Sequence, residues 1–346
     1  MKKAVKTILA ASITLALTAC GGFSNSSPEI VVPVTPTTLS LSGDAVKGTL
    51  AFATVQAYAA QDLTTEIAEP VQTDVNGDYT LTLTDVSGDP ITGAVVVIIT
   101  ADDDTTMICD AAVACGDVAR GDAIQAINLA GLSLSTFTYA DSGTGDISNV
   151  KVSALSTMAT NAILASAAEN DAIELGNLTA ESVAELQVSG SEIVGAILGL
   201  DLMDINLYSL NIADASDSSN VPTDDINAST LSFINASLSN LTIADGEVLG
   251  NVLATYFDNT RVISAAVIAN ADVNLAADFA DAVNNIALVQ SQISMETALI
   301  KTQVEQDSGV VITTQLVSDT VDPTEIGKAI GEIISGTGGT GLTGGS

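Results

Sequence analysis

"QTDVNGDYTLTL", residues 72–83, decides how the first half of this chain is read. Tyr79, Leu81 and Leu83 alternate with Thr80 and Thr82. That period of two marks a strand with one buried face. Asn76-Gly77, just before it, tolerates the positive φ angles that tight turns need. Upstream lies "LSLSGDAVKGTLAFATVQAYA", where Val55, Ala57 and Ala59 alternate with Thr54, Gln56 and Tyr58. Downstream, "GAVVVIIT" at residues 93–100 is a continuous apolar run between Pro90 and Asp102-Asp103-Asp104. Such a run suits a strand buried on both faces. Three or more strands this close together predict a small antiparallel β-sandwich over residues 39–105.

From Val152 the apolar period becomes helical. Leu155, Met158, Ala159, Ala162 and Ile163 share one face. Thr179 is placed to cap a helix whose face carries Val183, Leu186, Gly190, Ile193, Val194 and Ile197. Further stripes are Leu231, Ile234, Leu238, Leu241; then Val248, Leu249, Val252, Leu253, Tyr256, Phe257; then Leu275, Phe279, Val283, Ile286. Ile326, Ile330 and Ile333 make a last short one. Every stripe reads as core. The fold class expected is α+β, a β-sandwich followed by an α-helical bundle over residues 151–335. Residues 106–150 read as a transitional segment, and residues 336–346 as a Gly-rich tail.

Hydrophobic residues make up 47% of the chain, enough for a buried core, but aromatics are only 3% and Trp and His are absent. The formal net charge is −33. Such a surface repels phosphate backbones, which excludes nucleic acid as a partner. Without His there is no Ser-His-Asp triad, no Cys-His pair and no His-based zinc site. No P-loop or dinucleotide fingerprint is present. No cofactor, metal or catalytic residue is assigned.

The chain opens with Lys2, Lys3 and Lys6, then an apolar run over residues 8–16, too short to span a bilayer and suited to a secretory signal core. Leu17-Thr18-Ala19-Cys20 follows. A large aliphatic residue, two small ones and Cys resemble the lipobox of bacterial lipoproteins. The resemblance implies that residues 1–19 are a signal peptide, that the Cys20 sulfur receives a diacylglycerol, and that the new amino group is acylated, as with palmitate. Two or three chains hold firmly at about 0.8 kcal/mol per buried methylene. The partner implied is therefore a membrane. Gly21 follows, and the resemblance to enterobacterial lipoproteins, in which Asp at this position favours inner-membrane retention, implies the outer membrane or cell surface. Residues 20–38, with Gly, Ser, Asn, Pro33 and Pro36, read as a flexible tether.

Two other resemblances cover the folded part. Thr73, Asp74, Gly77, Tyr79 and Leu81, with the "A-x-V" strand before them, resemble the carboxypeptidase-regulatory-like modules of bacteria. This implies a transthyretin-like, carbohydrate-binding-like fold for about residues 40–105. The related domains that crosslink a Lys to an Asn find a counterpart only in Lys47, without a partner Asn, and no crosslink is expected. Ser153, Leu155, Thr157, Ala159, Leu198, Gly199, Leu200 and Ile205 resemble the helical region of proteobacterial surface lipoproteins. Ala154 stands where that pattern has Pro.

Cys109 and Cys115 would be the only thiols left once Cys20 is acylated. In an oxidising compartment they are expected to form a structural disulfide. Free buried thiols are the alternative. A redox pair is more often C-x-x-C, and a metal pair lacks further soft ligands. Asp74, Asn76 and Asp78 have the alternate spacing of a calcium loop, but Tyr79 occupies its Gly position, and a turn explains them better. Asp102-Asp103-Asp104 reads as a solvated loop, with calcium as the alternative. The function expected is non-catalytic binding or adhesion at the envelope, toward an extracellular protein or glycan. One alternative is a glycan-binding module, which would show Phe52, Tyr58, Tyr79 or Tyr139 as an exposed platform. The other is a carboxylate-dependent hydrolase, which needs two acids facing across a deep pocket.

Overall fold

The computed structural model describes residues 35–241, 247–268, 277–319 and Lys328. The signal segment, Cys20, most of the tether, Leu275, the stripe of Ile326, Ile330 and Ile333, and the Gly-rich tail lie outside the described residues. The chain begins with β1 (Thr37–Val46), β2 (Leu50–Ala51), β3 (Thr54–Ala59), β4 (Asp62–Glu66), β5 (Val71–Gln72), β6 (Asp78–Asp85) and β7 (Thr92–Thr100). Short pieces follow: β8 (Thr106–Ile108), β9 (Ala114–Cys115), β10 (Val118–Ala119), β11 (Ala123–Gln125) and α1 (Ala126–Leu129). Then come β12 (Ser133–Asp141), β13 (Val152–Ser153), α2 (Ala154–Glu169), α3 (Ala180–Leu198), α4 (Ile226–Ser237), α5 (Leu249–Ile268) and α6 (Ala277–Ser308).

The architecture is α+β. The strands do not form two packed antiparallel layers, however. Eight of them make one curved, mixed sheet in the order β4-β3-β7-β12-β13-β1-β6, with β5 on β3, and two small sheets, β11-β8-β2 and β10-β9, hold the rest. The difference comes from strands beyond residue 105. β12 pairs with β7 along its length, from Ser133↔Thr100 to Asp141↔Thr92. β13 then joins β1 in parallel through Ala45↔Val152 and Val46↔Ser153. The sheet curls until an isolated bridge, Ala68↔Leu83, brings the β6 edge back toward the chain after β4. The result is a half-barrel. Its concave face packs Leu39, Leu41, Val55, Ala57, Leu81, Leu83, Val95, Val97 and Leu134 into the main core.

The Asn76-Gly77 turn forms, with Gly77 at φ 83°. It does not close a simple hairpin. β5, before the turn, pairs with β3, and β6, after it, pairs with β1 from Asp44↔Asp78 to Thr37↔Asp85. The turn therefore carries the chain from one side of the half-barrel to the other. β7, the run at 93–100, lies between β3 and β12. Its central position explains why both its faces are apolar.

The helices do not stand apart as a bundle, because the convex face of the sheet is itself apolar. Ala94, Val96 and Phe137 meet Ile163 of α2 and Val183 and Leu186 of α3 in a second buried cluster. α2 also contacts α5, and α6 packs on α4 and α5. The described residues belong to one compact unit that starts at Thr35. Thr179 caps α3, its Oγ1 accepting from the Ser182 amide at 3.2 Å. Ser153 caps α2 in a reciprocal pair with Ser156. The Ala154 amide donates to Asn235 Oδ1 at 3.2 Å. A proline there has no N–H to give, which accounts for Ala at this position.

Candidate functional site

Among the described residues, Lys47 heads the large side chains sealed completely in the core. It follows directly on β1 and precedes Gly48, whose φ of 55° turns the chain away. A Cβ on Gly48 would lie 1.9 Å from the Ile108 carbonyl oxygen, so only glycine fits. The turn drives the Lys47 amine inward, where a lone charge would cost several kcal/mol (about that order) unless paired. Its partners come from distant segments. Nζ stands 3.6 Å from Asp110 Oδ1. Ser239, in the turn after α4, donates to that same Oδ1 and contacts Nζ. Asp110 Oδ2 accepts from the Gly48 amide at 2.9 Å. Asp214 accepts from both the amide and the hydroxyl of Thr49 at 2.9 Å.

Asp110 is held by the loop it sits in. Cys109 and Cys115 lie with sulfurs 2.10 Å apart and Cα atoms 5.7 Å apart, both buried. Arg120 donates to the carbonyls of Asp110 at 3.0 Å and Ala111 at 2.7 Å, and reaches across to Ala215. Glu296 of α6, also buried, accepts from the Ala112 amide at 2.7 Å and from Asn240 at 3.0 Å. Asn235 of α4 donates to the Val46 carbonyl at 2.8 Å. One small loop thus fastens the end of β1, α4 and α6 together.

Burial lowers the Lys47 amine below its ordinary 10.5, against the pull of Asp110 and Asp214. Burial likewise pushes Asp110 up to about 6, opposed by Lys47. A lysine beside a serine hydroxyl is a pairing that can activate a nucleophile. Here Lys47, Asp110 and Ser239 are all buried, so a substrate cannot reach them in this conformation.

The raised Asp110 carboxyl holds its proton more tightly in the folded chain than in the unfolded one. Its contribution to stability is therefore complete below its unfolded value of 3.8 and is lost as pH rises through about 6. Glu192 and Asp78, both raised by burial first, act with the same sign. The thermal midpoint is expected to rise as pH falls from about 7 to about 5, and the slope to shrink in Asp110→Asn. Melting curves across that window check this. A flat or falling midpoint would contradict it.

Next to the network opens a polar cleft of about 290 Å³. Asp44 and Lys151 line it and pair at 3.1 Å, each half-buried. Asp78 and Asp214 add carboxylates, and Asn76, Asn211 and Asn220 add amides. Asp214 is engaged by Thr49 and Asp44 by Lys151, so these acids do not stand as an unencumbered facing pair. Asp74 Oδ1 accepts from the amides of Asn76 at 2.7 Å and Asp78 at 3.0 Å, the bonding of a turn. Asp102 is engaged by Thr54, Thr105 and the Asp104 amide. Among the described residues no cluster of three acids, His or Cys is arranged to hold a metal.

The four aromatic candidates do not gather. Tyr79 is 4% exposed and donates to the Val150 carbonyl at 2.6 Å. Tyr58 and Tyr139 are half-buried, and Phe52 alone is exposed, at 42%. Sequence reasoning found the two cysteines and missed the role of Lys47. The signal was a lysine inside the apolar "AVKGTL", and an aspartate inside "ICDAAVAC". No helix among the described residues is long and apolar enough to cross a membrane. No family model, curated protein or solved structure matches this chain.

Proposed function

We propose that this chain is a lipid-anchored bacterial envelope protein, held at the outer membrane or cell surface through Cys20, that acts by binding and not by catalysis. The observation that carries the reading is the buried Cys109–Cys115 pair. A bridge of that kind forms and persists after export. The lysine-headed apolar segment ending at Leu17-Thr18-Ala19-Cys20 supplies the export and the attachment. The sealed state of Lys47, Asp110 and Ser239 supports a structural over a catalytic use of the core. In the same reading, β1 to β7 are a carboxypeptidase-regulatory-like module to which β12 and β13 have been added.

Metabolic labelling with a fatty-acid analogue tests the anchor. Wild type is expected to take up label and Cys20→Ala to lose all of it. Label retained in Cys20→Ala would overturn the proposal. Protease applied to intact cells then separates a surface from a periplasmic position.

The polar cleft favours a second reading, in which the ligand is a glycan. Asn76, Asn211, Asn220 and Asp78 offer donors and acceptors suited to hydroxyl groups. A glycan array probed with the chain should give hits that Asn211→Ala with Asn220→Ala abolishes. An array without hits would remove this reading.

A further inference from the structure

α6 spans Ala277–Ser308. One side of it is core, through Phe279, Val283, Ile286, Ile293, Ile300 and Val304. Directly opposite, Leu288, Met295 and Leu299 are 74%, 61% and 54% exposed. Their spacing of seven and four residues places them on one narrow stripe of the helix. Between Asp281 and Lys301 the helix carries a single charged residue, Glu296. That carboxylate is turned inward and taken by Ala112 and Asn240. The outer face is therefore free of exposed charge over nineteen residues, in a chain whose net charge is −33.

This combination says what kind of partner fits. A basic partner would find its best surface on the acidic remainder of the molecule. A partner of like charge gains most from a neutral strip, because everywhere else the two surfaces repel. The partner of like charge present wherever this protein is present is another copy of it. The register agrees. A two-fold axis passing between residues 293 and 294 sets Leu288 of one copy against Leu299 of the other, twice. It also sets Met295 near the middle of the seam. A symmetric, isologous contact of this kind closes at two copies.

We propose that two copies of this chain associate through the outer faces of their α6 helices, packed antiparallel with Leu288 against Leu299. A single helix seam of roughly 36 Å, for about twenty-four residues from 282 to 305, falls at the small end of interfaces, below about 1,200 Å². The pair is accordingly weak and strengthened by salt, because screening relieves the repulsion between two acidic bodies. The proposal holds whether or not Cys20 carries lipid, so its failure and that of the anchor are separable.

The test is oxidative crosslinking in cells that express two versions of the full chain, Leu288→Cys and Leu299→Cys. Together they should give a disulfide-linked dimer on a non-reducing gel. Each alone, and Val86→Cys at an exposed site off the strip, should give at least about tenfold less. Equal dimer from the single variants or from Val86→Cys, or none from the mixture, would overturn the register and the face. Sedimentation of the purified chain gives the second readout. The dimer dissociation constant should fall by about tenfold between roughly 0.05 M and 1 M NaCl, and Leu288→Asp should abolish association. A monomer at every salt concentration would overturn the proposal.

Discussion

Replacing Lys47 with Met is expected to lower the stability of the folded chain by about 3–5 kcal/mol, because it leaves the Asp110 carboxylate buried without its cation. Asp110 is fully enclosed and already pushed up to about 6 by that enclosure. Removing the amine forces it either to remain charged in the core or to take a proton at neutral pH. Pairing Lys47→Met with Asp110→Asn should recover more than half of the loss. An asparagine keeps an acceptor for the Gly48 amide or for Ser239 and carries no charge. Urea unfolding of the three proteins reads the effect. A cost below about 1 kcal/mol for Lys47→Met would mean that the network does not hold the fold.

The second large effect is expected from Cys109→Ala with Cys115→Ala. The bridge closes a loop with a sequence separation of 6. Loop-closure entropy alone gives about 2–2.5 kcal/mol for a ring of that size. The loop also positions Asp110, and its amides and carbonyls are held by Glu296 and Arg120. Opening it loosens the carboxylate that Lys47 needs. The losses in the combined variant should therefore fall short of additivity by about 1 kcal/mol or more. Full additivity would show that the bridge and the ion pair act independently.

Local signals made part of this fold readable. Thr179 announces α3 because a hydroxyl that accepts from the helix's own first turn is a short-range event. The run at 93–100 reads as a central strand because burial on both faces leaves only apolar side chains. The helical stripes follow from a period that each segment carries within itself. The parts that were not readable depend on distant partners. β13 is two residues long and is a strand only because β1 lies beside it. β12 contains Phe137 and Tyr139 in alternation with Thr136 and Thr138, yet it sits among Gly, Ser and Ala segments that blur its bounds. The sandwich expectation failed for that reason, since strands from beyond residue 105 complete the sheet.

The candidate site was less legible than the fold. The two cysteines are close in sequence, and their pairing follows from compartment and count. Gly48, next to Lys47, meets Asp110 across 62 residues of chain, and Lys47 meets Ser239 across 192. Nothing local distinguishes it from a solvated lysine except the apolar residues on either side. The outer stripe of α6 is a different case. Phe279, Val283 and Ile286 read as the core stripe and are buried, and only the packed structure shows that Leu288, Met295 and Leu299 on the opposite side stay exposed.

The most direct measurement is the mass of peptides released from the protein isolated from cell envelopes without reduction. A mature chain that begins at Cys20 with acyl groups on it is expected. A peptide in which Cys109 and Cys115 are linked to each other is expected with it. An unmodified peptide running through Ala19-Cys20, with residues 109 and 115 recovered as free thiols, would contradict both the anchor and the exported state.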